Sequence, residues 1–458
     1  MKKENVLATE PISKLLFKFA LPSVIAMIVG AFYNIVDQIY IGNSVGVVGN
    51  SATNVSFPLT TMCIGLSLLI GIGAAARFNL CLGEKKEEEA GKYMGSGFLM
   101  IIISGLLLTV LVKIFLPTLL TIFGATAENY EYAKTYTDIT SYGFLFLILT
   151  NAGTALIRAD GSPKYSMYAI LVGCIANIIL DPIFIFALDL GMAGAAWATV
   201  IGQVLSALMV ISYSRHFKSV DLTKDDFKFR PDYMVNILKL GIAPFINQVS
   251  MLFVQIIMNN SMVHYGAQSE FGPVIPLAVV GICMKVFMIF FAFALGISQG
   301  MQPIVSYNYG AGNYKRVKEA YLTSAKWAMG ILTLAFLLFQ FAPNQILHLF
   351  GDGSEEYFKF GRYYFRINLM MTFLIPIQPI TTNLLTSIGE AKWGAFLSLT
   401  RQVIFFIPLA LILPKFFGIM GLVYTGPISD FLSFVLAIIL AKKVFQMMDQ
   451  KEAWDGED

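Results

Sequence analysis

Charge is scarce in this chain. Asp, Glu, Lys and Arg together make up 13% of its 458 residues, about half the share of an ordinary soluble domain. Cysteine is scarcer. Cys63, Cys81, Cys174 and Cys283 all lie in or at the ends of apolar runs and form no CxxC pair, so neither a disulfide framework nor a zinc site is indicated. The three histidines, His216, His264 and His348, are far apart and read as surface positions near span ends. HExxH and phosphate-cradling glycine loops are missing, so the chain does not read as an enzyme and no cofactor is expected. With no nucleotide-binding domain, uphill work must draw on an ion gradient or a partner ATPase. A net charge of only +3 points away from nucleic acid.

Apolar residues fill the space, at 57% of the chain with a mean hydropathy of +0.69. Many runs exceed the roughly 20 residues that cross a bilayer. They lack the period-two alternation of barrel strands, so an all-α polytopic membrane protein is expected. Twelve spans are predicted, near 15–41, 53–80, 93–116, 134–157, 165–188, 192–214, 234–263, 274–308, 321–342, 361–388, 393–414 and 419–445. The segment MKKENVLATEPISKLL leads into an apolar stretch too long for a signal peptide and reads as a retained first span.

Basic residues alternate between connections. Lys2, Lys3, Lys14 and Lys18, then Arg77, Lys85 and Lys86, then Arg158 and Lys164, then the connection from Arg215 to Lys239, then Lys315, Arg316 and Lys318, and finally Lys442 and Lys443 fall on one side. The other side holds mainly acids such as Glu128, Glu270 and Asp352. The positive-inside rule puts both termini in the cytoplasm, and the expected location is a bacterial inner membrane.

The chain also repeats itself. LLFKFALPSVIAMI resembles ILKLGIAPFINQVS, GIGAAARFNLCLGEKK resembles GMQPIVSYNYGAGNYK, and ADGSPK resembles SIGEAK. So do LPTLLTIFGATAENYEYAKTY and APNQILHLFGDGSEEYFKFGRYY, and all four offsets lie within about 222 to 229 residues. The predicted organisation is two six-helix bundles in parallel repeat, 1–214 and 233–458, joined by a linker at 215–232. Such repeats belong to transporters that work by rocking one half against the other.

Ionisable residues inside spans are costly and mark function by default. The candidates are Asp37, Asp181, Lys285, Arg401 and Asp430. At about 1.5 Å per residue, Asp37 lies about 28 Å beyond Lys18, Asp181 about 26 Å beyond Lys164, and Thr199 about 24 Å before Arg215. Three helices of the first half therefore bring polar groups to one level. Asn177 shares a face with Asp181, and Asn34 and Gln38 one with Asp37, with Tyr33 beside it. Pro182 is expected to loosen the helix after Asp181 and free carbonyls. Two carboxylates with amide and hydroxyl oxygens suit a sodium ion. They suit a proton equally, taken up and released by the pair as a coupled unit. Lys285 near mid-membrane reads as a cavity cation or a fixed counter-charge. Arg401 reads as structural, and Asp430 as a polar contact between helices or a second coupling site. Met284 and Met288 offer adaptable apolar surface or plain packing.

The stretches LPSVIAMIVGAFYNIVDQIYIG, ADGSPK, NIILDPIFIF and ISQGMQPIVSYNYGAGNYK resemble the multidrug and toxic compound extrusion family, in the bacterial branch of damage-inducible-type and staphylococcal-type exporters. The resemblance covers nearly the whole chain. It implies two six-helix bundles in a V, exporting cationic amphipathic compounds in exchange for protons or sodium ions. It also implies a cation site at Asp37, Asn177, Asp181 and Thr199, and a helix that bends at Pro22. A substrate cavity is assigned to Tyr33, Asn34, Asn151, Gln255, Asn259, Met284, Lys285 and Met288. Another branch of the family carries acids on spans seven and ten. Here QVSMLFVQIIMNNSMVH and FRINLMMTFLIPIQPITTNLL have none, so coupling is assigned to the first half. A monomer in contact with membrane lipids is expected. The rival readings are a flippase for lipid-linked sugars of the same superfamily and a non-transporting membrane scaffold.

Overall fold

The computed structural model describes residues 6–215, 217–272, 274–349 and 353–455. Lys2, Lys3, His216 and Asp352 lie outside the described residues. Among the described residues every element is helical. The first half comprises α1 (Val6–Thr9), α2 (Ile12–Val45), α3 (Val47–Gly83), α4 (Glu87–Ile122), α5 (Tyr130–Ser141), α6 (Phe144–Ala159), α7 (Pro163–Pro182), a π segment (Ile183–Ala187) and α8 (Gly191–Ser214). The second comprises α9 (Pro231–Ala267), α10 (Val274–Gly310), α11 (Tyr314–Phe341), α12 (Pro343–Leu349), α13 (Glu355–Tyr363) with a π segment (Tyr364–Asn368), α14 (Ile377–Ser387), α15 (Ala391–Leu399) with a π segment (Thr400–Phe406), α16 (Ile407–Phe417) and α17 (Ile419–Asp455).

Ten of the described helices are long and apolar enough to cross a membrane, and α5 with α6, bent by 54°, makes up to eleven. The chain is a multi-pass membrane protein. Two expected spans differ from the prediction. The stretch 134–157 is split at Tyr142 and Gly143. The stretch 361–388 is not one helix: turns replace it between Asn368 and Ile377. Pro376 and Pro379 supply no amide there, and Asn368 Nδ2 donates across to Val423 O at 3.1 Å. Hydropathy sees only the apolar stretch, not whether its backbone ladder closes. Most other helices outrun their predicted bounds, as α3 (Val47–Gly83) and α4 (Glu87–Ile122) do. Starts are set by local chemistry, such as Pro163 and Pro231 in the first turns of α7 and α9. Gly46, at φ 75°, makes the tight reversal from α2 to α3.

Both chain ends lie on one face of the molecule, here called the terminal face. Arg316 reaches Leu7 and Glu10 there, and Lys318 pairs with Asp449. The linker is fastened to the first half on the same face. The Asp160 carboxylate accepts from Lys218 N (2.8 Å), Ser219 N (2.9 Å) and Tyr213 OH (2.7 Å). Burial holds this carboxyl above its ordinary pKa against those donors.

The cores do not divide where the chain divides. Helices α3 to α8 bury one core that also holds Ile41 of α2 and Ile237 of α9. The beginning of α2 lies in the second half's core: Leu15, Leu16 and Phe19 are at most 1% exposed among Ile304, Val317 and Ala320. The seam is tight at the terminal face. A methyl at Gly73 would meet Ile237 O at 2.1 Å, and one at Gly300 would meet Ala20 Cα at 2.6 Å. On the opposite side the same helices expose large apolar groups, with Phe32 at 49%, Phe57 at 48% and Phe253 at 57%.

In the second half, Arg401 Nε donates to Asp430 Oδ1 at 2.9 Å, tying the π segment before α16 to α17. The sequence reading did not pair these two residues. Their side chains are 18% and 8% exposed. Breaking such a pair leaves an uncompensated buried charge, at a cost of about 3–5 kcal/mol, whereas apolar replacement of both partners is often neutral. Arg401→Met should therefore destabilise the protein in detergent by about that amount, and Arg401→Met with Asp430→Leu should recover most of it. Thermal or SDS unfolding of the two variants measures the difference.

Candidate cation site

Helices α7 and α8 meet at glycine. A methyl at Gly173 would lie 2.6 Å from Gly202 O, and one at Gly202 would lie 2.7 Å from Gly173 O. No side chain fits, so the two backbones touch. One turn beyond Gly173 stands Asn177, and three residues before Gly202 stands Thr199. The glycine crossing brings these two polar groups within bonding range.

Asn177 is 2% exposed. With its amide oriented to satisfy both ends, Nδ2 donates to Asp181 Oδ2 at 2.9 Å and Oδ1 accepts from Thr199 N at 3.0 Å. Thr199 Oγ1 donates to Ala195 O at 3.0 Å. Asp181 is fully buried and Asp37, on α2, is 7% exposed. Their carboxyl groups lie close enough to interact directly. Asp37 Oδ1 has no partner although it is buried. Among the described residues no lysine or arginine pairs with either carboxylate.

The four residues singled out as a cation set are thus brought together. Tyr33, assigned from sequence to the substrate cavity, stands in this cluster, with its hydroxyl beside Thr199 and near Asp37. The sequence reading missed Tyr136 on α5, which also reaches Thr199. Its only signal was the tyrosine-rich stretch YEYAKTY, which carries no spacing that points to α8. Helix α7 runs through Pro182 without breaking, and the disturbance falls just after it, in the π segment Ile183–Ala187. Asp181 therefore keeps its helical position over Asn177, as the spacing predicts.

The other expected site residues lie elsewhere. Asn34 is exposed and spends its donor on Gly30 O at 2.8 Å. Asn151 is half-buried and donates to Leu147 O at 2.9 Å. Gln255 and Asn259 are exposed on one face of α9, as are Met284 (43%), Lys285 and Met288 (49%) on α10. Pro22 lies inside α2, which runs as one helix from Ile12 to Val45. His264 and His348 are exposed, as expected. No group of three His, Cys, Asp or Glu that could hold a metal occurs among the described residues. The donor set at Asp37 is all oxygen, with two carboxylates, an amide and hydroxyls. That chemistry fits a hard monovalent cation or a proton and not a soft transition metal.

Comparison with known proteins bears on this arrangement. A family model described as MatE matches residues 22–183 and 245–412. The multidrug export protein MepA of Staphylococcus aureus strain MSSA476 is 26% identical over 447 residues, covering 96% of each chain. A solved structure described as the outward-facing conformation of a multidrug resistance MATE family transporter of the MOP superfamily matches with a TM-score of 0.90 at 23% identity, covering 98% of this chain and 99% of that one. A MOP superfamily transporter from Pyrococcus furiosus Vc1, described as having a binding pocket of reverse polarity that suggests a different function, matches with a TM-score of 0.89 at 23% identity, covering 97% and 98%. At those identities the solved structures speak for the fold. The matched segments take in well over half of the sequence, and the chain belongs to the MatE family of transporters.

Proposed function

We propose that this protein exports cationic amphipathic compounds, drugs among them, in exchange for protons or sodium ions, by alternating access. The observation that carries the reading is the Asp37–Asp181 pair: two facing carboxylates, buried, without a cationic side chain among the described residues, one oxygen without any partner. Like charges held together in low dielectric need a cation for at least part of the transport cycle. The likeness to staphylococcal MepA, a multidrug export protein, supports drugs as the substrate class.

In this reading twelve spans form two six-helix bundles related by the parallel repeat. The two family matches begin 223 residues apart (245 − 22), inside the offset range of the repeated motifs. The terminal face is cytoplasmic, in accord with its basic connections, and the membrane is the bacterial inner membrane. The exposed faces of α9 and α10, with Gln255, Asn259, Met284 and Met288, line a cavity shared with Asn34 and Asn151. Methionine and amide groups suit varied greasy substrates. Substrate enters from the cytoplasm, the halves rock, and cation binding at Asp37, Asn177, Asp181 and Thr199 favours release outward and return. Exchange requires only that each ligand prefer a different conformation. In the state described here α2 is continuous through Pro22; Pro22 is the point at which it bends later in the cycle, and the protein works as a monomer.

A second reading has one observation in its favour. Lys285 is exposed and carries no ion pair among the described residues, and a cation on the cavity wall would suit an anionic substrate such as a lipid-linked sugar. The test is flux in proteoliposomes, with proton and sodium gradients imposed separately. Ethidium flux driven by one gradient and lost in Asp37→Asn and Asp181→Asn supports the exporter and names its ion. Transport of a lipid-linked sugar without ethidium flux supports the flippase. Wild-type gradient-driven efflux by Asp37→Asn overturns the site assignment.

Tyr136→Phe provides a finer check. It removes a hydroxyl and keeps the ring, so unfolding stability should change by no more than about 1 kcal/mol. Half-saturation by the coupling ion should rise severalfold, measured as flux against ion concentration.

A further inference from the structure

In the sequence Arg316 is one of several basic loop residues. In the structure it is half-buried and grips the other end of the chain. Its Nη2 donates to the carbonyls of Leu7 (3.1 Å) and Glu10 (2.6 Å), and its Nε donates to Asn308 Oδ1 (3.1 Å). Asn308 is fully buried and donates Nδ2 to Leu7 O (3.0 Å) and to Ile304 O (2.8 Å). The Leu7 and Glu10 carbonyls lie in the short helix α1 and in the turn before α2. Charge-assisted bonds to them are among the stronger polar contacts.

What is gripped matters. Just after the clamp, α2 sinks Leu15, Leu16 and Phe19 into the second half's core. The same unbroken helix then carries Asp37, 18 residues beyond Phe19 (37 − 19) and about 27 Å along the axis, into the cation cluster of the first half. One helix therefore joins the second half, at the terminal face, to the carboxylate pair near the opposite face.

The internal repeat argues that the clamp is specific. The offset of 229 that aligns Gly71 with Gly300 sets Asn79 against Asn308 and Glu87 against Arg316. Asn79 is buried with both amide atoms unpartnered, and an acid stands where the second half has a guanidinium. Among the described residues, the guanidinium–amide pair therefore stands at this repeat position in the second half and not in the first.

We propose that Arg316 and Asn308 are positioning residues for transport. They make the start of α2 part of the second half, so that closure of the terminal face and the placement of Asp37 are one mechanical event. This inference rests on the alternating-access reading above. Without the clamp, the terminal face should open more often and the state drawn here should lose population.

Two reporters in the full chain test this, after Cys63, Cys81, Cys174 and Cys283 are replaced. Ala76→Cys sits fully buried at the seam beside Leu80 and Leu240. Asn259→Cys is exposed on the opposite side. Arg316→Gln should raise maleimide labelling at Ala76→Cys roughly tenfold, the order expected for losing a charged hydrogen bond, and lower it at Asn259→Cys. Arg316→Lys should fall between. Adding Asn308→Ala to Arg316→Gln should add little, because the two act through one network. Unchanged labelling at both sites overturns the proposal, and so does a rise at both, which marks a loosened fold. If ethidium moves the two reporters in opposite directions while Arg316→Gln does not, the clamp alone is refuted. If neither ethidium, an ion gradient nor Arg316→Gln moves them, the alternating-access reading falls with it.

Discussion

Two carboxylates face each other inside the first half with no basic side chain among the described residues to balance them, and the surrounding structure is arranged around that fact. A single charged group at membrane depth costs about 2.5–3.5 kcal/mol by insertion measurements, and a second like charge adds to the cost. The chain accommodates the pair through close backbone approach and oxygen ligands. Gly173 and Gly202 let α7 and α8 touch, and this brings Asn177 to both Asp181 and Thr199. Tyr33 and Tyr136 close the cluster over Thr199. Asp37 Oδ1 is left without a partner. Stability alone would favour an apolar core here, and under the proposed exchange that missing partner is the transported cation.

The second half handles charge in the opposite way. The offset of 228 that aligns Ala159 with Ser387 also aligns Gly173 with Arg401 and Gly202 with Asp430. Where the first half has its glycine crossing, the second has an ion pair at 2.9 Å. Its acid is balanced by a covalently fixed cation, so no exchangeable one is required. Under the proposed repeat, one half leaves its buried acids without a basic partner among the described residues, and the other pairs its acid with Arg401. Helix α2 links them, because its first turns are buried in the second half while Asp37 and Ile41 belong to the first.

Much of this was legible in the sequence, for identifiable reasons. Membrane spans follow from composition because lipid forbids unpaired backbone, and depth along a helix follows from its rise. That is why Asp37, Asp181 and Thr199 could be set at one level before any packing was known. Asn177 followed from its four-residue spacing to Asp181. Residues whose role depends on which helices meet stayed hidden. Tyr136 has no spacing that points to α8, Arg401 and Asp430 lie on separate segments, and Arg316 reads as a loop charge until its reach to Leu7 and Glu10 is seen. The break after Asn368 stays hidden because a hydropathy window averages Pro376 and Pro379 with the strongly apolar residues around them.

The central claim is that the Asp37–Asp181 pair holds an exchangeable cation that competes with substrate. Calorimetric titration of ethidium into detergent-solubilised protein, in buffers of different protonation enthalpy and with and without sodium, measures ion release directly. The account predicts that ethidium binding releases protons or displaces sodium, and that Asp37→Asn binds ethidium without either. Ethidium binding by the wild-type protein with no proton release and no dependence on sodium would contradict it.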